Sequence, residues 1–334
     1  YRQVLALSKI YNIHLLANSR QNEGFFPIVL SGYLEFQTWL NPVDRILSAI
    51  LRRVNGSSDK LSYSFKSKVV KYIERNDIKV VQIHYGTLAV KYNSILSQID
   101  IPYIVSFHGF DASKALLNES YATSISGVCQ KAFYSLLSSP HMVNNLRLRD
   151  VNSKFKVIPY GIDVQEFSPT GKAQSDEESV HILHSGRITP KKGVPDLIQT
   201  FGIVKDMFPK IHLHILGDGN ELALCKSLSR DLDLSESITF YGAKPIDKVK
   251  ELMNDCDIFV LNSRIAEDGD MEGLPNALLE AMSMGMAVLS TRHAGIPMAV
   301  KHMDNGLLVN EHDTDELVKM LSLLISDGSL RDRF

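Results

Sequence analysis

Residues 180–217 read VHILHSGRITPKKGVPDLIQTFGIVKDMFPKIHLHILG. A short apolar run, VHILHSG (180–186), stops at a glycine. An amphipathic stretch follows over 194–207, and a second apolar run, IHLHILG (211–217), ends on glycine again. Continuous apolar strands separated by a helix argue for a parallel sheet covered on both faces. In such sheets ligands sit at the carboxyl ends of the strands, and this stretch puts Gly186, Arg187, Lys191 and Lys192 at one.

The alternation continues downstream. SITFYG (237–242), CDIFVLNS (256–263), MAVLST (286–291) and GLLV (306–309) read as strands, with helical patterns near 219–232, 246–254, 275–284 and 313–326. Upstream, YNIHLLA (11–17), IKVVQIHYG (78–86), IPYIVSFHG (101–109) and FKVIPYG (155–161) read as strands. Helical segments are expected near 2–9, 33–53, 59–75, 87–98, 119–134 and 140–149. The polar stretch TGKAQSDEES (170–179) has no periodicity and marks a boundary. The expected architecture is α/β, with two Rossmann-like doubly wound domains, 1–169 and 170–334, facing across a cleft. A chain of 334 residues is also long for a single core. RQVLALSKIY reads as the first helix of a domain whose preceding strand is absent, since the sequence opens on Tyr1; the C-terminal end is likewise expected to be cut short.

Composition narrows the class. Hydrophobic residues make up 44% and charged residues 22% of the chain, and no run approaches the ~18 apolar residues of a spanning helix. Cys129, Cys225 and Cys256 are odd in number and far apart, which fits a reducing cytosol and no thiolate metal site. Residues 1–167 hold 19 Lys and Arg against 12 Asp and Glu, net +7; residues 168–334 hold 17 against 26, net −9. The positive half suits an anionic membrane surface or a phosphorylated substrate, although domains also differ in charge without purpose. The segment 33–54, with Trp39 and the Arg52, Arg53 end, reads as a helix lying on a membrane or packed on its own sheet. No basic helix with interleaved aromatics points to nucleic acid.

Two glutamates flank a helix start in EGLPNALLE (272–280). Pro275 suits the first helical position, which leaves Glu272 and Gly273 in the preceding loop. The Gly273 and Leu274 N–H groups then point a helix dipole's positive end at an anion. Glu280 reaches hydroxyls on one side of that anion and Glu272 on the other. With Arg187 and Lys192 opposite, the pattern outlines a diphosphate between two polyols, the shape of a nucleotide sugar. The bland readings are a solvated basic turn, a first-turn acid that complements the dipole, and a surface glutamate.

GRITPKKG followed by EGLPNALLE and STRHAGIP (290–297) resembles the retaining glycosyltransferases of family 4, which have the GT-B fold. IHYG (83–86), SFHGFD (106–111) and IPYGID (158–163) extend the resemblance through the first half, closest to the colanic-acid and amylovoran type exopolysaccharide enzymes. The resemblance implies transfer of a sugar from a nucleotide diphosphate sugar to a saccharide acceptor, with retention. It implies a lipid-linked acceptor at the inner face of the cytoplasmic membrane. Arg187 and Lys192, with Gly186, would bind the diphosphate. Glu272 with the backbone of Gly273, Leu274 and Pro275 would position the sugar, Glu280 would hold the ribose, and His108 would contact sugar or acceptor. The implied mechanism is a front-face displacement in which the leaving phosphate helps to deprotonate the acceptor, without cofactor or metal. Met298 stands where many relatives have an acid and is left out of the site.

Other motifs give way. Gly217-DGNEL lacks the last glycine of a dinucleotide fingerprint and reads as a tight strand-to-helix turn. Asp268-Gly-Asp270 spells a metal-binding D-x-D but is assigned to the loop before Glu272. His181, His184, His212 and His214 lack a carboxylate or Cys at ligand spacing and read as core histidines. The alternatives to a transferase are a non-catalytic nucleotide-sugar scaffold or sensor, and a GT-B enzyme of another reaction such as an epimerase. A phosphorylase of this fold would want an extra segment with a cofactor lysine, for which the chain is short.

Overall fold

The computed structural model describes residues 10–17, 32–35, 61, 63–171 and 179–334. The chain divides into two compact units, residues 1–79 with 91–101, and residues 80–90 with 102–334.

In the first unit, β1 (His14–Ala17) pairs in parallel with β2 (Gly32–Glu35), His14 opposite Gly32. Residues 33–35 are therefore strand, a correction to the helix expected from 33. Pairing with β1 gives their backbone groups partners that helical periodicity alone had assigned locally. The rest of that segment, and the helix expected over 2–9, lie outside the described residues. The helix α1 (Tyr63–Arg75) buries Val69 and Ile73, four positions apart on one face.

The second unit contains two sheets. The first runs β3 (Val81–His84), β4 (Tyr103–Ser106), β5 (Tyr134–Leu137) and β6 (Phe155–Val157), in that order and all parallel. The helix expected over 87–98 is broken into α2 (Gly86–Lys91), which ends at the boundary of this unit, and α3 (Asn93–Leu96), which belongs to the first. In α4 (Glu119–Lys131), the Asn118 side chain accepts the Tyr121 N–H, and Ala122, Ile125, Val128 and Cys129 form the buried stripe. Strand β5 is absent from the sequence reading. Its four residues YSLL carry too few periods to separate them from the end of α4, which stops at Lys131 where Ala132 turns extended. After β5, Pro140 opens α5 (Pro140–Arg147).

The second sheet comprises β7 (Val180–Ser185), β8 (Ile211–Leu216), β9 (Ile238–Gly242), β10 (Ile258–Leu261), β11 (Ala287–Thr291) and β12 (Leu307–Val309). Their order is β12-β11-β10-β7-β8-β9, all parallel. The first three strands build one way from β7 and the last three the other way, so a topological switch lies between β7 and β10. Ile182, Leu213, Val260 and Leu289 pack on one face against Leu197 and Phe201 of α6 (Val194–Met207) and Cys225 of α7 (Leu222–Asp231). Leu183, Phe259 and Val288 pack on the other against Leu252 of α8 (Ile246–Asp255) and Leu278 of α9 (Asn276–Ser283). Each such fully buried side chain contributes about 1.5–3 kcal/mol. Both sheets are parallel and helix-covered, as the alternation predicts.

Candidate functional site

The switch point is where the turns are tightest. Gly186 ends β7 at φ +157°, and a Cβ on Gly217, at the end of β8, would stand 1.8 Å from its carbonyl oxygen. A Cβ on Gly193 would meet the Asn262 carbonyl oxygen at 2.3 Å. Only glycine permits this approach of backbones. The chain between Gly186 and Gly193 is thus pressed against the ends of β8 and β10, and it carries Arg187, Lys191 and Lys192.

The two lysines are buried, 5% and 8% exposed, and they do different work. Lys191 Nζ donates to Asp270 Oδ1 and to the Met271 carbonyl oxygen, both at 3.2 Å, and so fastens the loop before Glu272. Lys192 Nζ stands 3.1 Å from Glu272 Oε1, with Lys191 Nζ at 3.7 Å from the same oxygen. Burial raises the Glu272 carboxyl, but Lys192 and Lys191 outweigh it, and the net position is below the ordinary glutamate value. Glu272 is therefore an anion held by two cations. Arg187 is exposed and makes no ion pair among the described residues.

Helix α9 begins at Asn276, with Pro275 in the capping position rather than in the first turn. The shift is one residue, because Pro275 keeps an extended ψ of 122°. Gly273 and Leu274 precede it, and neither N–H donates to a protein group among the described residues. Glu280 lies in the second turn of α9, buried at 8% exposure.

The first sheet closes on this loop. A Cβ on Gly109, at φ +108°, would stand 3.0 Å from the Met271 carbonyl oxygen and 3.2 Å from the Gly273 nitrogen. A Cβ on Gly273 would stand 2.4 Å from Ser138 Oγ. His108, next to Gly109, is thereby brought to the rim of the Glu272 loop. Its side-chain Nδ1 is 2.8 Å from the Tyr160 hydroxyl, and burial, then His84, pushes it down to about 4. Asp111 is fully buried and accepts the His108 N–H at 2.8 Å and the Gly86 N–H at 2.7 Å.

Several residues of the site were not singled out by sequence reasoning. His293 is fully buried; its Nε2 accepts the Glu272 N–H at 3.1 Å and its Nδ1 lies 2.7 Å from Glu311 Oε1. An Nε2 that accepts leaves Nδ1 to carry the proton and to donate it to Glu311. Glu311 also accepts the Ile265 N–H, so the pair ties the Glu272 loop to the chain after β12. The signal available was a histidine within STRHAGIP; its partner Glu311 is remote in sequence and gives none. Asp268 is paired with Lys114 at 2.5 Å and Asp270 with Lys191, so the D-x-D carboxylates are held by lysines. Among the described residues no group of three or more His, Cys, Asp or Glu has the geometry to hold a metal ion. His181 bonds to His214, which also bonds to Tyr241, and His212 bonds to Thr239. No described helix is long and apolar enough to cross a membrane.

Residues 169–334 match the family described as Glycosyl transferases group 1. The chain is 31% identical over 254 residues to the amylovoran biosynthesis glycosyltransferase AmsK of Erwinia amylovora, covering 75% of this chain and 62% of that protein. It thus spans under two thirds of that relative's length. Among solved structures, sucrose-phosphate synthase from Thermosynechococcus elongatus superposes with a TM-score of 0.78 at 16% identity, over 99% of this chain and 84% of that one. HepE from Anabaena, in complex with UDP, superposes with a TM-score of 0.69 at 18% identity, over 80% and 74%. The fold is the GT-B fold, and residues 169–334 are a group 1 glycosyl transferase domain.

Proposed function

We propose that this protein transfers a sugar, with retention, from a nucleotide diphosphate sugar to a saccharide acceptor in bacterial exopolysaccharide assembly. The observation that carries the reading is the grouping at the β7/β10 switch point. The Gly273 and Leu274 N–H groups and Arg187, without a partner among the described residues, and the ion pair of Lys192 with Glu272 belong to one stretch of strand ends and loops. Amide donors and cations suit a diphosphate, and a fixed carboxylate suits sugar hydroxyls. The amylovoran relative supports the pathway class, and the UDP complex of HepE supports a nucleotide donor.

In this reading Arg187 and Lys192 stabilise charge on the departing diphosphate, while Glu272 and the backbone of Gly273, Leu274 and Pro275 hold the sugar. Glu280 binds the ribose. Residues up to 169 supply the acceptor side and those from 170 the donor side. The leaving phosphate takes the acceptor's proton, so catalysis is positioning and charge stabilisation. No metal is required, since lysines already occupy Asp268 and Asp270. The acceptor is lipid-linked and is met at the inner face of the cytoplasmic membrane.

Thermal unfolding with UDP, GDP, ADP and their sugar conjugates tests the reading. A ligand at a hundred times its dissociation constant adds about 2.7 kcal/mol to the native state. One nucleotide raising Tm above the others is the expected result. Tm values unmoved by all of them would overturn the nucleotide-sugar site itself.

A further inference from the structure

Both ring nitrogens of His108 are occupied. Nδ1 lies 2.8 Å from the Tyr160 hydroxyl and Nε2 lies 2.9 Å from His84 Nδ1. The neighbouring Ser138 hydroxyl donates to Met142 Sδ at 3.3 Å and packs against Gly273. These four residues sit at the carboxyl ends of four neighbouring strands: His84 closes β3, while His108, Ser138 and Tyr160 follow β4, β5 and β6. The His108 ring lies 24° from the plane of His84 and 10° from that of Tyr160. A hydrogen-bonded chain thus runs across the strand ends from Tyr160 through His108 to His84.

A neutral imidazole donates from one nitrogen and accepts at the other, so the tautomers of His84 and His108 are locked together. The chain's open end is His84 Nε2, which bonds to no described residue. Beside it Tyr85, at φ +70° and 45% exposed, lays its ring 4.5 Å from that of His108. A fixed imidazole nitrogen and a part-exposed aromatic ring, both packed on His108, suit a sugar, with a hydroxyl on the nitrogen and C–H groups on the ring.

We propose that His84, rather than His108, makes the polar side-chain contact from the first sheet to a hydroxyl of the transferred sugar, with His108 and Tyr160 as positioning residues that fix its tautomer and aim. This rests on the glycosyltransferase reading above. With its proton on Nδ1, His84 accepts from the hydroxyl; with its proton on Nε2, it donates to the hydroxyl oxygen. The proton on the opposite nitrogen is set by His108 and, through it, by Tyr160.

Two measurements on the full chain test this. Histidine-labelled protein gives the ring nitrogens by 1H–15N NMR, and Tyr160→Phe removes a hydroxyl that His84 does not touch. The His84 ring nitrogens are expected to shift in that variant; unmoved His84 signals would overturn the relay. Hydrolysis of UDP-glucose, UDP-galactose and GDP-mannose then reads the contact. For whichever donor is cleaved, His84→Ala should lower kcat about tenfold or more at an unchanged donor KM. His84→Gln, whose amide keeps a polar atom near Nε2, should restore most of it, and equal melting curves exclude misfolding. Wild-type kcat in His84→Ala, or a loss confined to KM, overturns the assignment. If the wild type cleaves none of the three, the glycosyltransferase reading suffers, and the NMR result judges the relay by itself.

Discussion

Lys192 Nζ and Glu272 Oε1 lie 3.1 Å apart with only 10% and 12% of the two side chains exposed. The pair joins the turn after β7 to the loop before α9, two pieces that share no local sequence. Because the carboxylate is held against two lysines, it is rigid before any ligand arrives, which suits a group that must orient a sugar.

Removing one member leaves the other charge in a poorly solvated place. For a fully buried pair this costs about 3–5 kcal/mol. Partial exposure, and the presence of Lys191 near the same oxygen, reduce the expectation to about 1–3 kcal/mol for Glu272→Gln or Lys192→Met. The double variant should lose less than the two single losses added, with coupling of at least about 0.5 kcal/mol in denaturant unfolding. Strict additivity would mean that the pair contributes no coupling.

Acid should unfold the protein through its histidines. Burial, as the largest cause in each, holds His108, His141, His184 and His214 down to about 4. Below the unfolded value near 6.5 the unfolded chain binds protons that the native state refuses. Stability is therefore full above that value and falls as pH drops from about 6.5 toward 4. His184, fully buried beside Lys192, should contribute clearly: Tm of His184→Asn, compared between pH 7.5 and 5, should fall by less than that of the wild type. Parallel losses in the two proteins would show that His184 is not among the groups responsible.

Two glycines make opposite predictions. A Cβ at Gly217 would stand 1.8 Å from the Gly186 carbonyl oxygen, on a backbone at φ +144°, so Gly217→Ala should fail to fold or lose several degrees of Tm. Gly127 lies inside α4 with nothing within 4 Å of its Cβ position. There Gly127→Ala should gain about 0.5–1 kcal/mol from helix propensity. A destabilised Gly127→Ala would contradict the open space at that face.

These contrasts separate what the sequence could disclose from what it could not. The second sheet was readable because buried strands such as IFVL and AVLST stand between amphipathic helices of ordinary length, and glycine marks their ends. Glu272, Lys192 and Gly186 were readable from spacing around those ends. β5 was not, because four residues after a helix carry too few periods. Nor was the dependence of Glu272 on His293 and Glu311, since hydrogen bonds across a gap of 18 or 21 residues leave no periodicity. The separation of Lys191 from Lys192 was invisible for a different reason. Adjacent side chains in a 3₁₀ turn diverge, and only the packing shows which one holds the loop.

Arg187 offers the sharpest test of the donor site, because it can be removed without disturbing the fold. It is exposed and forms no ion pair among the described residues, so Arg187→Ala should leave Tm of the free protein within about a degree, as surface changes usually do. If its guanidinium meets a diphosphate, the variant should bind the preferred nucleotide about ten- to a hundredfold more weakly, which corresponds to about 1.4–2.8 kcal/mol. Salt should weaken nucleotide binding to the wild type more than to the variant, since one charge contact fewer remains to be screened. Calorimetric titration of both proteins with UDP or GDP at two ionic strengths gives all three quantities. Unchanged affinity and an unchanged salt slope would take Arg187 out of the donor site and leave Lys192 with the Gly273 and Leu274 amides as its anion contacts.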